Sequence, residues 1–198
     1  MSISEPYAVT LLLAHALERL GLRYLIGGSL ASSMHGTPRS TNDADVVAEL
    51  PGRAVDELVG SLQDAFYIDA DMIRDAIARG ASFNIIHYDT AFKVDVFVLT
   101  RDALMLEEMH RRELHDLPPD GEAQAWFASP EDTVLQKLSW YQKGHGISER
   151  QWNDVAGVIR MRGQDLDLAY LRTWAPHLDV SDLLERALDE NMPSFSSP

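Results

Sequence analysis

The stretch that most restricts what this chain can fold into is YLIGGSLASSMHGTPRSTNDADVV, from Tyr24 to Val47. An apolar run, Tyr24-Leu25-Ile26, breaks at Gly27-Gly28-Ser29 and resumes as a small-residue segment of helical character from Leu30 to Met34. The pattern predicts a strand, a tight turn and a helix. Paired glycines let the backbone bend sharply and approach a ligand, and the unpaired N–H groups at the start of the following helix would face an anion. After a polar turn come Asp43 and Asp45 at the head of a second apolar run, Val46-Val47. Strand side chains alternate, so both carboxylates would share one face while Ala44 takes the other. A phosphate cradle followed by two parallel carboxylates suits a divalent metal holding a nucleoside triphosphate. Taken without the glycines, the two aspartates would read as turn or capping residues.

A third carboxylate lies further along. Ser82 to His87 and Phe92 to Val98 read as two strands of a hairpin, joined through Tyr88-Asp89-Thr90. In the second strand Val94, Val96 and Val98 share one face, leaving Lys93, Asp95 and Phe97 on the other. An acid inside so apolar a strand needs a partner. A metal or a general-base role would satisfy it, and so would an ion pair to Lys93 or an arginine.

The remaining segments frame these elements. Helices are predicted from Glu5 to Leu20, from Pro51 to about Phe66, from Met72 to Arg79 and from Arg101 to Met109. Arg111 to Leu117 and Ala123 to Ala128 read as outer strands around a turn at Pro118-Pro119-Asp120-Gly121. Ser129-Pro130-Glu131-Asp132 is a helix start with Ser as N-cap and Pro at the first position, and that helix should run to about Gln142. Lys143-Gly144-His145-Gly146 is a junction; helices follow from Ser148 to about Met161, Leu168 to Ala175 and Ser181 to Asp189. Trp140, Trp152 and Trp174 fall in apolar helical periodicity and read as core anchors, His110 and His115 as exposed polar histidines, and Asp154 as a surface residue, with a pairing to Lys137 or Arg150 as the other option. The fold class is therefore α/β: a small, twisted, mixed sheet flanked by helices over residues 1–128, a helical part over 129–192 that closes over the nucleotide, and a disordered tail over 193–198.

Composition narrows the function classes. The absence of Cys excludes disulfides and cysteine zinc sites. A formal net charge of −14 works against broad, non-specific nucleic-acid binding, which needs clustered Lys and Arg. No run approaches membrane-spanning length and no signal-like N-terminus is present, so a soluble, cytoplasmic protein with no membrane partner is expected.

Gly27-Gly28-Ser29, Ala31, His35-Gly36, Arg39, Thr41 and Asp43-x-Asp45 together resemble the nucleotidyltransferase superfamily that includes DNA polymerase beta, and look most like the small bacterial AbiEii-type nucleotidyltransferases, some of which are toxins of toxin–antitoxin pairs. The resemblance runs from the start of the chain to the junction after Gln142 and is looser in its later part. It implies that Asp43, Asp45 and Asp95 form the catalytic and metal-holding set, with two Mg²⁺ ions, or Mn²⁺ in their place, and an NTP such as ATP as substrate. It also implies phosphate contacts from Gly27, Gly28, Ser29 and Arg39, and from Lys137 in Leu135-Gln136-Lys137-Leu138, for which a solvated position on the helix shoulder is the alternative. The reaction would be transfer of NMP to a hydroxyl on a tRNA end, a protein or a small molecule such as an antibiotic, with pyrophosphate release. A cognate antitoxin would be the protein partner. The competing reading is a silent nucleotide-binding or toxin–antitoxin interaction module, and a phosphodiesterase is a third.

Overall fold

The structure, a computed structural model, describes residues 4–117, 121 and 123–192; the expected turn at Pro118-Pro119-Asp120 and the expected tail at 193–198 lie outside the described residues. The chain divides into two compact units, one of Met1–Leu30 with Ser40–Ala128 and one of Ala31–Arg39 with Ser129–Pro198. The segment 31–39 therefore counts with the C-terminal residues, although it lies between the two site motifs in sequence.

The first unit opens with helix α1 (Glu5–Arg19), which Gly21 ends in the left-handed region, and strand β1 (Tyr24–Ile26). Tyr24 Oη donates to Glu18 Oε1 at 2.8 Å and ties α1 to that strand. Helix α2 (Gly28–His35) begins in this unit and ends in the other; strand β2 (Asp43–Ala48) follows. A 3₁₀ turn at Gly52–Ala54 leads into α3 (Val55–Leu62), then come β3 (Phe66–Tyr67), α4 (Ala70–Arg79), β4 (Ser82–His87), β5 (Lys93–Val98), α5 (Ala103–Arg111), β6 (Glu113–Asp116) and β7 (Gln124–Phe127). Asp69 and Asp102 cap α4 and α5 by accepting from the Met72 and Met105 amides.

Among the described residues the strands form one mixed seven-stranded sheet in the order β3-β4-β5-β2-β1-β7-β6. β2 sits centrally, antiparallel to β1 and parallel to β5. The alternation of β2 and β5 divides them cleanly. Ala44, Val46, Ala48, Val94, Val96 and Val98 are buried on one face, and Asp43, Asp45, Lys93 and Asp95 stand half-buried on the other.

One element differs from the sequence expectation. The helix predicted from Pro51 to Phe66 stops at Leu62, and Phe66-Tyr67 form a strand antiparallel to β4, with Phe66 buried and Tyr67 outside. Aromatic residues favour strands, and the free edge of β4 offers hydrogen bonds that local periodicity does not encode.

In the second unit, α6 (Pro130–Lys143), α7 (Glu149–Arg162), α8 (Leu168–Trp174), a 3₁₀ turn at Ala175–Leu178 and α9 (Ser181–Asn191) enclose a core of Val134, Leu135, Leu138, Val158, Leu171 and Leu184. Ser129 caps α6 as expected, its Oγ accepting from the Asp132 amide at 3.1 Å. Trp140 is not a core anchor: it is 49% exposed, with the Lys143 ammonium 5.2 Å from its ring centroid. The apolar stripe of α6 runs through Val134, Leu135, Leu138 and Tyr141, which turns Trp140 away from it. Trp152 and Trp174 do pack against the core.

Candidate active site

The geometry begins at the glycine turn. The Gly27 amide donates to the Asp45 carbonyl oxygen at 2.8 Å, which holds the turn against β2. Gly28 has φ +56°, and a Cβ built there would lie 1.8 Å from Asp45 Oδ2. Glycine is therefore required twice over, once for the backbone angle and once for the room. The Asp45 carboxylate rests on the bare Cα at the first residue of α2, where the helix dipole favours negative charge. Ser29, the next residue, is buried.

Sheet register sets the second feature. β2 and β5 run parallel with Asp45 opposite Asp95 and Asp43 opposite Lys93. Residues opposite one another in a parallel pair point to the same face, so Asp43, Asp45 and Asp95 stand together on the half-buried side, on strands about 4.8 Å apart. Thr41 Oγ1 lies 3.0 Å from Asp43 Oδ1 and steadies that carboxylate. The Lys93 ammonium donates to Asp95 Oδ2 at 2.7 Å. That hydrogen bond, followed by the fields of Asp95, Asp43 and Asp45, raises the Lys93 pKa above its ordinary value against the opposing effect of desolvation. On the β4 side Asn84 is the register partner of Asp95.

Arg39 and Lys137 belong to the second unit, where they converge on Asp154. Arg39 Nε and Nη2 donate to Asp154 Oδ1 and Oδ2 at 2.8 and 2.9 Å, and Lys137 Nζ donates to Oδ2 at 2.7 Å. Lys137 is buried, which removes the solvated-shoulder alternative. Asp154 is buried as well, so its expected surface role is corrected; of the two pairings considered, Lys137 is present and Arg39 takes the place given to Arg150. Burial pushes the Asp154 pKa up, but the hydrogen bonds from Arg39 and then Lys137, with their charges, outweigh it and hold the carboxyl below its ordinary value. Sequence reasoning missed this three-way pairing because no local pattern marks it. His110 is exposed, and His115 pairs with Glu113 at 2.9 Å.

Asp43, Asp45 and Asp95 thus bring three carboxylates, hard oxygen donors, to one face of two adjacent strands, beside a glycine that leaves space at Asp45. The open mixed seven-stranded sheet with its flanking helices is a nucleotidyltransferase-like fold. Among solved structures, the chain is similar to an antigenic nucleotidyltransferase-like protein from Paracoccidioides brasiliensis, at 16% identity and TM-score 0.54, covering 97% of this chain and 96% of that one. It is also similar to ANT(2")-Ia in complex with adenylyl-2"-tobramycin, at 12% identity and TM-score 0.56, covering 89% of this chain and 98% of that one. The solution structure of the antibiotic-resistance factor ANT(2'')-Ia matches at 13% identity and TM-score 0.50, covering 92% and 96%. The sequence matches no protein-family model and no curated protein. No helix among the described residues is long and apolar enough to cross a membrane.

Proposed function

We propose that the chain is a metal-dependent nucleotidyltransferase that moves NMP from an NTP to a hydroxyl acceptor and releases pyrophosphate. The observation that carries this reading is the register that sets Asp43, Asp45 and Asp95 on one face of adjacent strands, with Gly28 pressed against the Asp45 carboxylate. Divalent ions held by the three aspartates would neutralise the triphosphate and the charge on the oxygens entering and leaving the α-phosphorus. Gly28 and Ser29 at the start of α2 would receive the phosphates through backbone N–H groups and a hydroxyl, whereas the Gly27 amide, expected to do the same, is taken up by the Asp45 carbonyl and holds the turn in place. Asp95, on the strand outside β2, would orient the acceptor hydroxyl and take its proton. Most of the rate effect would then come from positioning and fixed charge. Arg39 and Lys137 already donate to Asp154, whose single charge answers one of their two, and that pairing weakens their claim to phosphate.

For the acceptor, the net charge of −14 favours a small hydroxylated molecule over an RNA end. ANT(2")-Ia, held with adenylyl-2"-tobramycin, is a fold neighbour of that kind. The AbiEii-type toxin role and a cognate antitoxin remain the finer alternatives within the class.

Incubation with α-labelled NTPs, Mg²⁺ and panels of small-molecule, protein and RNA acceptors tests the reading. Labelled acceptor and pyrophosphate are expected from the wild type, and Asp45→Asn should lower the rate at least a hundredfold, roughly the loss seen when one charge-stabilising group is removed. Nucleotide binding with no pyrophosphate from any acceptor would leave the silent module in its place.

A further inference from the structure

We propose that Lys93 is a tethered counter-ion of the Asp43–Asp45–Asp95 face, holding the position that a divalent cation must take from it. The inference rests on the reading of those acids as the metal-holding set. The register places Lys93 directly opposite Asp43, and its ammonium lies 2.7 Å from Asp95 Oδ2, while Asp95 is itself opposite Asp45. One positive charge thus stands among three negative ones.

Two features distinguish this lysine from a structural one. Its side chain is 43% exposed and its Asp95 partner 24%, whereas Lys137 and Asp154 are 4% and 5% exposed. Its one ion pair among the described residues is to Asp95. A pair so open to water is worth little, so the ammonium can swing into solvent at small cost. A divalent ion carries twice its charge and displaces it. In the nucleotide-free protein the lysine still competes, and metal binds more weakly than the carboxylates alone would allow. If Lys93 were instead only a surface ion pair bracing β5, its removal would lower stability and leave metal affinity unchanged.

The test titrates Mn²⁺ into the nucleotide-free protein, following free Mn²⁺ by electron paramagnetic resonance. Lys93→Met keeps the alkyl stem and removes the charge. Its Mn²⁺ dissociation constant is expected to fall on the order of two- to tenfold against wild type, the range of an exposed pair reinforced by neighbouring acids. Lys93→Arg, which keeps the charge, should stay near wild type, and adding Asp45→Asn to Lys93→Met should remove the gain. Lys93→Gln serves as the second neutral variant should Lys93→Met fold poorly. Equal or weaker Mn²⁺ binding in the neutral variants overturns the proposal and spares the three-acid site. Absence of Mn²⁺ binding in wild type and neutral variants alike, at millimolar ion, overturns both.

Discussion

Asp154 accepts from two cations with one carboxylate, and its removal should be costly. It would take a carboxylate from 2.7 Å of the buried Lys137 ammonium and a two-pronged acceptor from Arg39, which at 23% exposed can turn to water. Asp154→Ala is expected to lose about 3–5 kcal/mol in urea denaturation, the usual penalty for removing one partner of a buried ion pair. The paired change Asp154→Leu with Lys137→Met should recover most of that loss, because an apolar pair of similar volume asks for no desolvation. The pH dependence has a definite sign. The folded carboxyl lies below its ordinary value of 3.8, so its contribution is fully present above that pH and is lost as pH falls through the lowered folded value. Below pH 3.8 the stability curve of Asp154→Ala should therefore lie flatter than that of the wild type.

At the level of elements, α7 and the segment after α2 meet backbone to backbone. A Cβ on Gly36 would fall 2.7 Å from the Val158 amide nitrogen and 2.8 Å from the Gly157 carbonyl carbon, and one on Gly157 would fall 3.2 Å from the Thr37 nitrogen. Gly36, which the resemblance marks as part of the motif, thus has a packing reason independent of any chemistry. Backbone atoms cannot rotate aside as a side chain can. Gly36→Ala is expected to cost about 1–3 kcal/mol. Gly60→Ala, within α3 and facing open space, should be neutral or stabilising by up to about 1 kcal/mol. Chemical denaturation of the two variants side by side separates crowding from the general helix preference for alanine.

Across the whole chain, 31 acidic residues stand against 17 Lys and Arg. Such an excess repels itself in the compact state. Raising NaCl from about 10 mM to about 150 mM shortens the screening length from roughly 30 Å to 8 Å. The melting temperature should rise by about 2–4 °C, the shift that about 1 kcal/mol gives a chain of this size. Differential scanning calorimetry without divalent ions checks this, and a fall with salt would mean that attractive ion pairs outweigh the net repulsion.

How much was legible beforehand follows from the range of the forces. Glycine pairs, strand alternation in DADVVA and KVDVFV, and the Ser129 cap are local terms set within a few residues, and from them the sequence alone determined the turn, the strands and which side of each strand is acidic. Nothing local could place Phe66-Tyr67 on the edge of β4, because that strand exists only through its partner. Only the tertiary structure decided that β2 and β5 are neighbours in a register that sets Asp45 beside Asp95 and Lys93 beside Asp43. The same is true of Asp154, joined to Arg39 across 115 residues of sequence. The physical reason is that strand order and buried charge pairing are chosen by the competition of distant segments for one core, and no window along the chain contains both competitors.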